Sequence, residues 1–189
     1  MEKKLSNFVL ETKNFLQDHK HNQFLKLLEQ NAFPFNTAKL VGERVDKNIR
    51  DTLTCGLHTI NEPSMTNVHW ANTFSYCFKR ALEFYFKETN SNPDSDVNII
   101  DIQILKYHLG GFYRPHVDHG NKIARTLSFL YLVNDDYKGG ELYFYMDGKE
   151  YPVEVEKNKL IIFPSNFMFM HGVKPVIEGI KYSVVSWAL

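Results

Sequence analysis

From residue 99 to residue 189 the chain is a succession of short apolar or aromatic runs, each about one strand long and each closed by Gly, Pro, Asn or Asp. Runs of that length and spacing are too short for helices and predict a β-sandwich or barrel. Strands are expected near 99–108, 114–118, 125–133, 141–146, 151–155, 159–163, 170–174 and 180–188.

The first 95 residues carry another period. Asp18 is placed as the cap of a helix in which Phe24, Leu25, Leu27 and Leu28 recur at helical spacing, and a second helix is expected over 68–87. In that second helix Phe74, Tyr76, Phe78, Phe84, Tyr85 and Phe86 are expected as core. The polar stretch ETNSNPDSD near residue 90 separates the two periodicities. With 189 residues and 43% hydrophobic composition, the chain is expected to form one domain. Residues 1–95 would be helical support with a substrate loop, and 96–189 the β core. The stretch from Val45 to Met65 lacks a clear period and is expected as a loop over the barrel mouth that orders when substrate binds.

Charge and segment length narrow the function classes. Twenty-two basic residues balance 22 acidic ones, so no whole-molecule positive field favours nucleic acid or an anionic membrane. No apolar run has the length of a membrane span, and the first residues do not read as a signal peptide, so a cytoplasmic protein is expected. Cys55 and Cys77 are too few for a disulfide framework and are expected as free thiols.

Strand alternation brings out the chemistry. Within 99–107, Ile100, Ile102 and Ile104 are assigned to one face and Leu105 and Tyr107 to the other. Within 180–188, Lys181, Ser183, Val185 and Trp187 share one face against Tyr182, Val184 and Ala188. A lysine in line with an inward face calls for a ligand, because a buried unpaired ammonium is costly. His116 and Asp118, two apart on an extended strand, point to the same side. Eight histidines among 22 acidic residues make one such pair expected by accident, so the pair carries weight only with His171, which precedes a late strand. Two imidazoles and a carboxylate leave open positions on one face of a metal, as in non-heme Fe(II) oxygenases. His108 and His119 alternate away from Tyr107 and Asp118, and His19, His21, His58 and His69 have no companion at ligand spacing.

The segment YHLGGFYRPHVD resembles the Y-x-x-G-G-x-Y-x-P-H-x-D segment of prolyl 4-hydroxylases, and HGVKPVIEGIKYSVVSW resembles their H-x-x-x-P-V-x-x-G-x-K-x-x-x-x-x-W segment. RTLSFLYLVNDDYKGGELYF is similar to the R-x-L-T-x-x-x-Y-L-N-x-x-x-x-G-G-E-L stretch of the wider 2-oxoglutarate oxygenase superfamily, with Leu132 at the tyrosine and Ser128 at the threonine of that pattern. The resemblance implies a double-stranded β-helix, or jelly roll, with the helices on one of its two sheets. It implies Fe(II) on His116, Asp118 and His171, and 2-oxoglutarate with its far carboxylate on Lys181 and with Tyr107, Ser183 and Ser128 beside it. Ascorbate is expected as an accessory cofactor. Trp187 would line the substrate side, with Arg50 near the bound chain.

The expected reaction hydroxylates a C–H bond with O2, releasing succinate and CO2, on a prolyl residue of a peptide or protein. Two alternatives stand beside it. One is the same chemistry on another side chain, a free amino acid or a nucleobase. The other is a non-catalytic jelly-roll binding module.

Overall fold

The computed structural model describes residues 4–40, 44–58, 63–91, 97–120, 123–146 and 148–189. Two α-helices, two short 3-10 helices and fourteen strands are assigned among them. Helix α1, Asp18–Glu29, presents His21, Phe24 and Leu28 to the interior at helical spacing. Its N-cap is Gln17, and Asp18 lies in the first turn, where a carboxylate complements the helix dipole without capping; this corrects the expected cap. Helix α2, Met65–Thr89, starts three residues earlier than the apolar period predicts. Ser64 and Asn67 form a reciprocal capping box, with the Ser64 hydroxyl accepting from the Asn67 N–H and the Asn67 carbonyl accepting from the Ser64 N–H. Asn is not the usual acidic or glutamine partner in that box, so the signal is easy to overlook. Asn90, in the left-handed region, ends the helix.

The β region is a double-stranded β-helix of two main antiparallel sheets. The larger contains β1 (Leu10–Thr12), β2 (Asn36–Thr37), β4 (Leu53–Gly56), β5 (Ile99–Tyr107), β7 (Leu127–Leu132), β11 (Lys159–Pro164) and β14 (Lys181–Ala188), in the order β1-β11-β7-β14-β5-β4-β2. The smaller contains β3 (Arg50–Asp51), β6 (Phe112–His116), β9 (Leu142–Met146), β10 (Lys149–Pro152) and β12 (Met170–Val173), in the order β10-β9-β12-β6-β3. A two-stranded ribbon pairs β8 (Lys138–Gly139) with β13 (Val176–Glu178).

Alternation along the strands divides the apolar residues into two cores. Phe24, Trp70, Phe74, Phe78, Tyr131, Ile104 and Val184 fill the layer between the helices and the larger sheet. Leu105, Tyr107, Leu132, Phe144, Phe163, Val185 and Trp187 fill the space between the sheets. Because β14 contributes to both, its eight residues are all buried, the polar Lys181, Ser183 and Ser186 included.

Three expectations change. Ile100 packs with the inter-sheet core and not with Ile102 and Ile104. The register on β14 slips between Val185 and Trp187, and Asp101 sits at φ 52, so a bulge flips the alternation at that point. Tyr76 and Phe84 are exposed on α2, while Phe74, Phe78 and Tyr85 are buried: the helix is amphipathic, and its aromatic run wraps past the buried face. The stretch 45–65 is not structureless. It supplies β3, paired with β6, and β4, paired with β5, so it crosses between the sheets at one edge. Strands of two and four residues are too short for a period to be visible in sequence. Residues 59–62 of that stretch lie outside the described residues.

Candidate metal centre

His116 ends β6 and His171 lies on β12, directly opposite it in the ladder. Asp118 follows β6 in a bend, two residues beyond the last paired position, so the expected strand 114–118 is in fact 112–116. The bend still brings the carboxylate back: one ligand atom from each of the three residues lies within 4.8 Å of the others. His116 Nε2 is 3.4 Å from Asp118 Oδ1, and His171 Nε2 is 3.6 Å from Asp118 Oδ2.

The other ring nitrogens are occupied. His116 Nδ1 is 2.9 Å from the Arg114 carbonyl and His171 Nδ1 is 3.1 Å from the Phe169 carbonyl. A carbonyl only accepts, so each Nδ1 carries the proton and each Nε2 presents a lone pair to the shared space. This is the outer-shell arrangement that fixes imidazoles for a metal. The His116 ring is further stacked on Tyr113 at 3.6 Å between centroids. His171 is packed edge-on against Phe163 at 4.7 Å.

Burial by itself would raise the Asp118 carboxyl, but His171, His116 and the Ser128 hydroxyl hold it well below the usual carboxylate range. His171 is pushed down to about 4, chiefly by burial and against the opposing pull of Asp118. A carboxylate held anionic beside two imidazoles whose Nδ1 atoms are tied to carbonyls is a donor set that suits a divalent cation. The two Nε2 atoms and the Asp118 carboxylate converge on one space, so these residues fit a 2-His-1-carboxylate ion.

All three open onto a cavity of about 720 Å3, whose wall also includes Tyr107, Tyr113, Arg50, Arg125, Ser128 and Trp187. Arg50 stands over the Tyr113 ring at 4.7 Å, and Arg125 over the Trp187 ring at 3.7 Å. The Nε of each guanidinium is buried without a hydrogen-bond partner.

The remaining candidates divide. Lys181 is fully buried at the start of β14, opposite Tyr107. Its Nζ donates to the Gly140 carbonyl at 2.6 Å and lies 5.5 Å from the Tyr107 ring centre. Burial lowers it to about 7. Ser183 is buried on the same face, and its hydroxyl has no partner. Neither residue is part of the cavity wall, which includes Tyr107. Ser128 is on the wall, but its hydroxyl donates to Asp118 Oδ2 at 2.6 Å, so it is engaged by the trio and not free for a cosubstrate as expected. A β7 serine facing the sheet interior lies closer to the Asp118 bend than to the Lys181 end of the barrel. Sequence reasoning also passed over Arg125, although it opens the quoted R-x-L pattern, and Ser165, which only the fold brings beside Ser128.

Residues 102–189 match the family model of the 2OG-Fe(II) oxygenase superfamily. Among sequence relatives, a PKHD-type hydroxylase of Rippkaea orientalis is 37% identical over 89 residues, covering 43% of this chain and 39% of that protein. A probable prolyl 4-hydroxylase of Arabidopsis thaliana is 27% identical over 210 residues, covering 92% of this chain and 60% of that one. The chain thus spans less than two thirds of the length of either relative. Among solved structures, a prolyl hydroxylase from Trichoplax adhaerens, in complex with a hypoxia inducible factor peptide fragment, superposes with a TM-score of 0.79 at 18% identity, covering 97% of this chain and 84% of that one. A Pseudomonas putida prolyl-4-hydroxylase superposes at 0.71 and 20% identity, covering 96% and 91%. Over residues 102–189 the chain is thus similar to the 2OG-Fe(II) oxygenase superfamily in motif and family match, and its fold is that of the superposed structures.

Proposed function

We propose that this chain, with its 2OG-Fe(II) oxygenase core, is a 2-oxoglutarate-dependent dioxygenase that hydroxylates a C–H bond, on a prolyl residue of a peptide or protein. The observation that carries the reading is the convergence of two Nε2 lone pairs and one carboxylate on a single cavity, with both Nδ1 atoms tied to backbone carbonyls.

In this reading His116, Asp118 and His171 hold Fe(II). When bound with 2-oxoglutarate and O2, the iron supplies the oxidising power to insert one oxygen atom into a C–H bond, with succinate and CO2 as coproducts. Asp118 is held anionic and His171 is held neutral, which leaves both ready to bind a cation. Lys181 and Ser183 would hold the far carboxylate of 2-oxoglutarate, with Tyr107 beside it. A buried ammonium with no carboxylate partner among the described residues supports that role.

Arg50, Arg125 and Trp187 face the substrate. Stacked guanidiniums with a free Nε suit the carbonyl oxygens of an extended peptide, and Trp187 suits an apolar ring. That combination supports a peptide over a nucleobase, for which the balanced charge offers no general attraction. Residues 1–95 and 96–189 act as one domain, since Phe24, Phe74 and Trp70 share a core with Tyr131 and Val184. Ascorbate serves as an accessory reductant.

The test is turnover. Succinate should form from 2-oxoglutarate only with Fe(II) and O2, and His116→Ala should abolish it. Mass spectrometry should then find one added oxygen atom on a mapped proline in a peptide library. Succinate without any modified peptide would point to a different substrate, and no succinate under any condition would leave the non-catalytic binding module as the better reading.

A further inference from the structure

Next to Lys181 the barrel interior holds more hydrogen-bond donors than acceptors. The ammonium has three N–H groups, of which one goes to the Gly140 carbonyl at 2.6 Å. The Ser183 and Tyr137 hydroxyls are both buried without a hydrogen-bond partner. Tyr137 is 8% exposed, follows β7 in the turn that leads into β8, and its ring centre lies 5.9 Å from Lys181 Nζ. Gly140 locks the pair together: a Cβ there would stand 3.2 Å from Tyr137 Cε2 and 3.3 Å from Lys181 Cδ, at φ +67 where a side chain is already strained. Leu132, cross-strand from Ser183, occupies the inward position where the superfamily pattern carries a tyrosine and offers no donor.

Unsatisfied buried donors are costly, about 1–3 kcal/mol each, and are retained where a ligand completes them. Two ammonium N–H groups and two hydroxyls make four donors, and a carboxylate accepts about four hydrogen bonds. We infer that the Tyr137 hydroxyl is a direct ligand of the far carboxylate of 2-oxoglutarate, completing with Lys181 and Ser183 a four-donor cage that takes over what Leu132 cannot provide. This deepens the function proposed above and rests on it. The cage selects a terminal carboxylate at that distance from the metal, so Tyr137 determines cosubstrate specificity and has no part in metal binding.

Calorimetric titration of 2-oxoglutarate into the Mn(II)-loaded protein, which does not turn over, separates the two levels. Tyr137→Phe should raise the 2-oxoglutarate Kd about tenfold or more, the loss of one hydrogen bond to a charged group, while the Mn(II) Kd stays as in the wild type and the melting temperature of the ligand-free protein does not fall. Tyr137→Leu serves in the same titration should the phenylalanine variant not fold. An unchanged 2-oxoglutarate Kd, or an equal rise in the Mn(II) Kd, overturns the role of Tyr137 and leaves the function standing. A wild-type protein that binds Mn(II) but takes up no 2-oxoglutarate overturns the function itself.

Discussion

The Ser128 hydroxyl donates to Asp118 Oδ2 at 2.6 Å and touches the Ser165 hydroxyl at 2.8 Å. Asp118 lies in a bend outside any ladder, so this bond is what the sheet offers to aim its carboxylate. Ser128→Ala should therefore lower divalent-metal affinity by about 10- to 100-fold, the usual cost of losing an outer-shell partner. Ser128→Thr should restore most of it. Mn(II) titration followed by electron paramagnetic resonance measures both, and equal affinity in the alanine variant would show that the bend holds Asp118 unaided.

Lys181 is a buried cation without a carboxylate partner among the described residues, so it destabilises the ligand-free fold. Lys181→Met should raise stability by on the order of 1–4 kcal/mol and abolish 2-oxoglutarate binding. The sign with pH is fixed by the lowered value of about 7 against an ordinary 10.5. Between those values the unfolded chain binds the proton that the folded chain has lost, so wild-type stability rises with pH across that window. The advantage of Lys181→Met should be full below about pH 7 and vanish as pH approaches 10.5, as read by denaturant unfolding at several pH values.

The same lysine couples cosubstrate binding to protons. A carboxylate binds the charged ammonium and raises its pKa, so above about pH 7 the free protein must take up a proton to bind. The 2-oxoglutarate Kd should increase up to about tenfold per pH unit above 7, and calorimetry in buffers of different ionisation enthalpy should report uptake of one proton per site. A flat profile from pH 7 to 9 would mean that Lys181 is charged throughout or is not the anchor.

Asn158 holds the N-terminal segment onto the larger sheet. Its side chain accepts from the Leu16 N–H and the Tyr131 hydroxyl and donates to the Leu16 carbonyl, and its backbone is at φ 57. Asn158→Ala should cost roughly 2–4 kcal/mol, because it strands buried partners and puts a Cβ without a polar tip in the left-handed region. The effect should appear in thermal melts and leave Mn(II) affinity unaltered. Asn158→Gly should recover only the backbone share.

Crossing between the two sheets gives residues 50–56 ladder partners without any substrate. Amides of β4 should resist hydrogen exchange in the free protein, and a bound peptide should add protection chiefly around Arg50. Rapid exchange across Leu53–Gly56 would restore the view of this stretch as a loop that orders on binding.

The sequence by itself determined what is local and periodic. Two-residue alternation placed Lys181, Ser183, Val185 and Trp187 on one face of β14, helical spacing placed Phe74 and Phe78 inward, and the spacing of His116, Asp118 and His171 marked a metal-binding trio. Motif resemblance joined these into one family pattern. Tertiary structure decided whatever depends on a partner far along the chain or on a break in the period. The bulge at Asp101 turned Ile100 to the other core because one inserted residue reverses the alternation that any pattern must assume. Short β3 and β4 exist only through ladders with β6 and β5, which no local propensity announces. Ser128 met Asp118, and Tyr137 met Lys181 across 44 residues of chain, because a barrel packs strands by hydrogen-bonded register, and side chains become neighbours in space whose spacing in sequence says nothing of it.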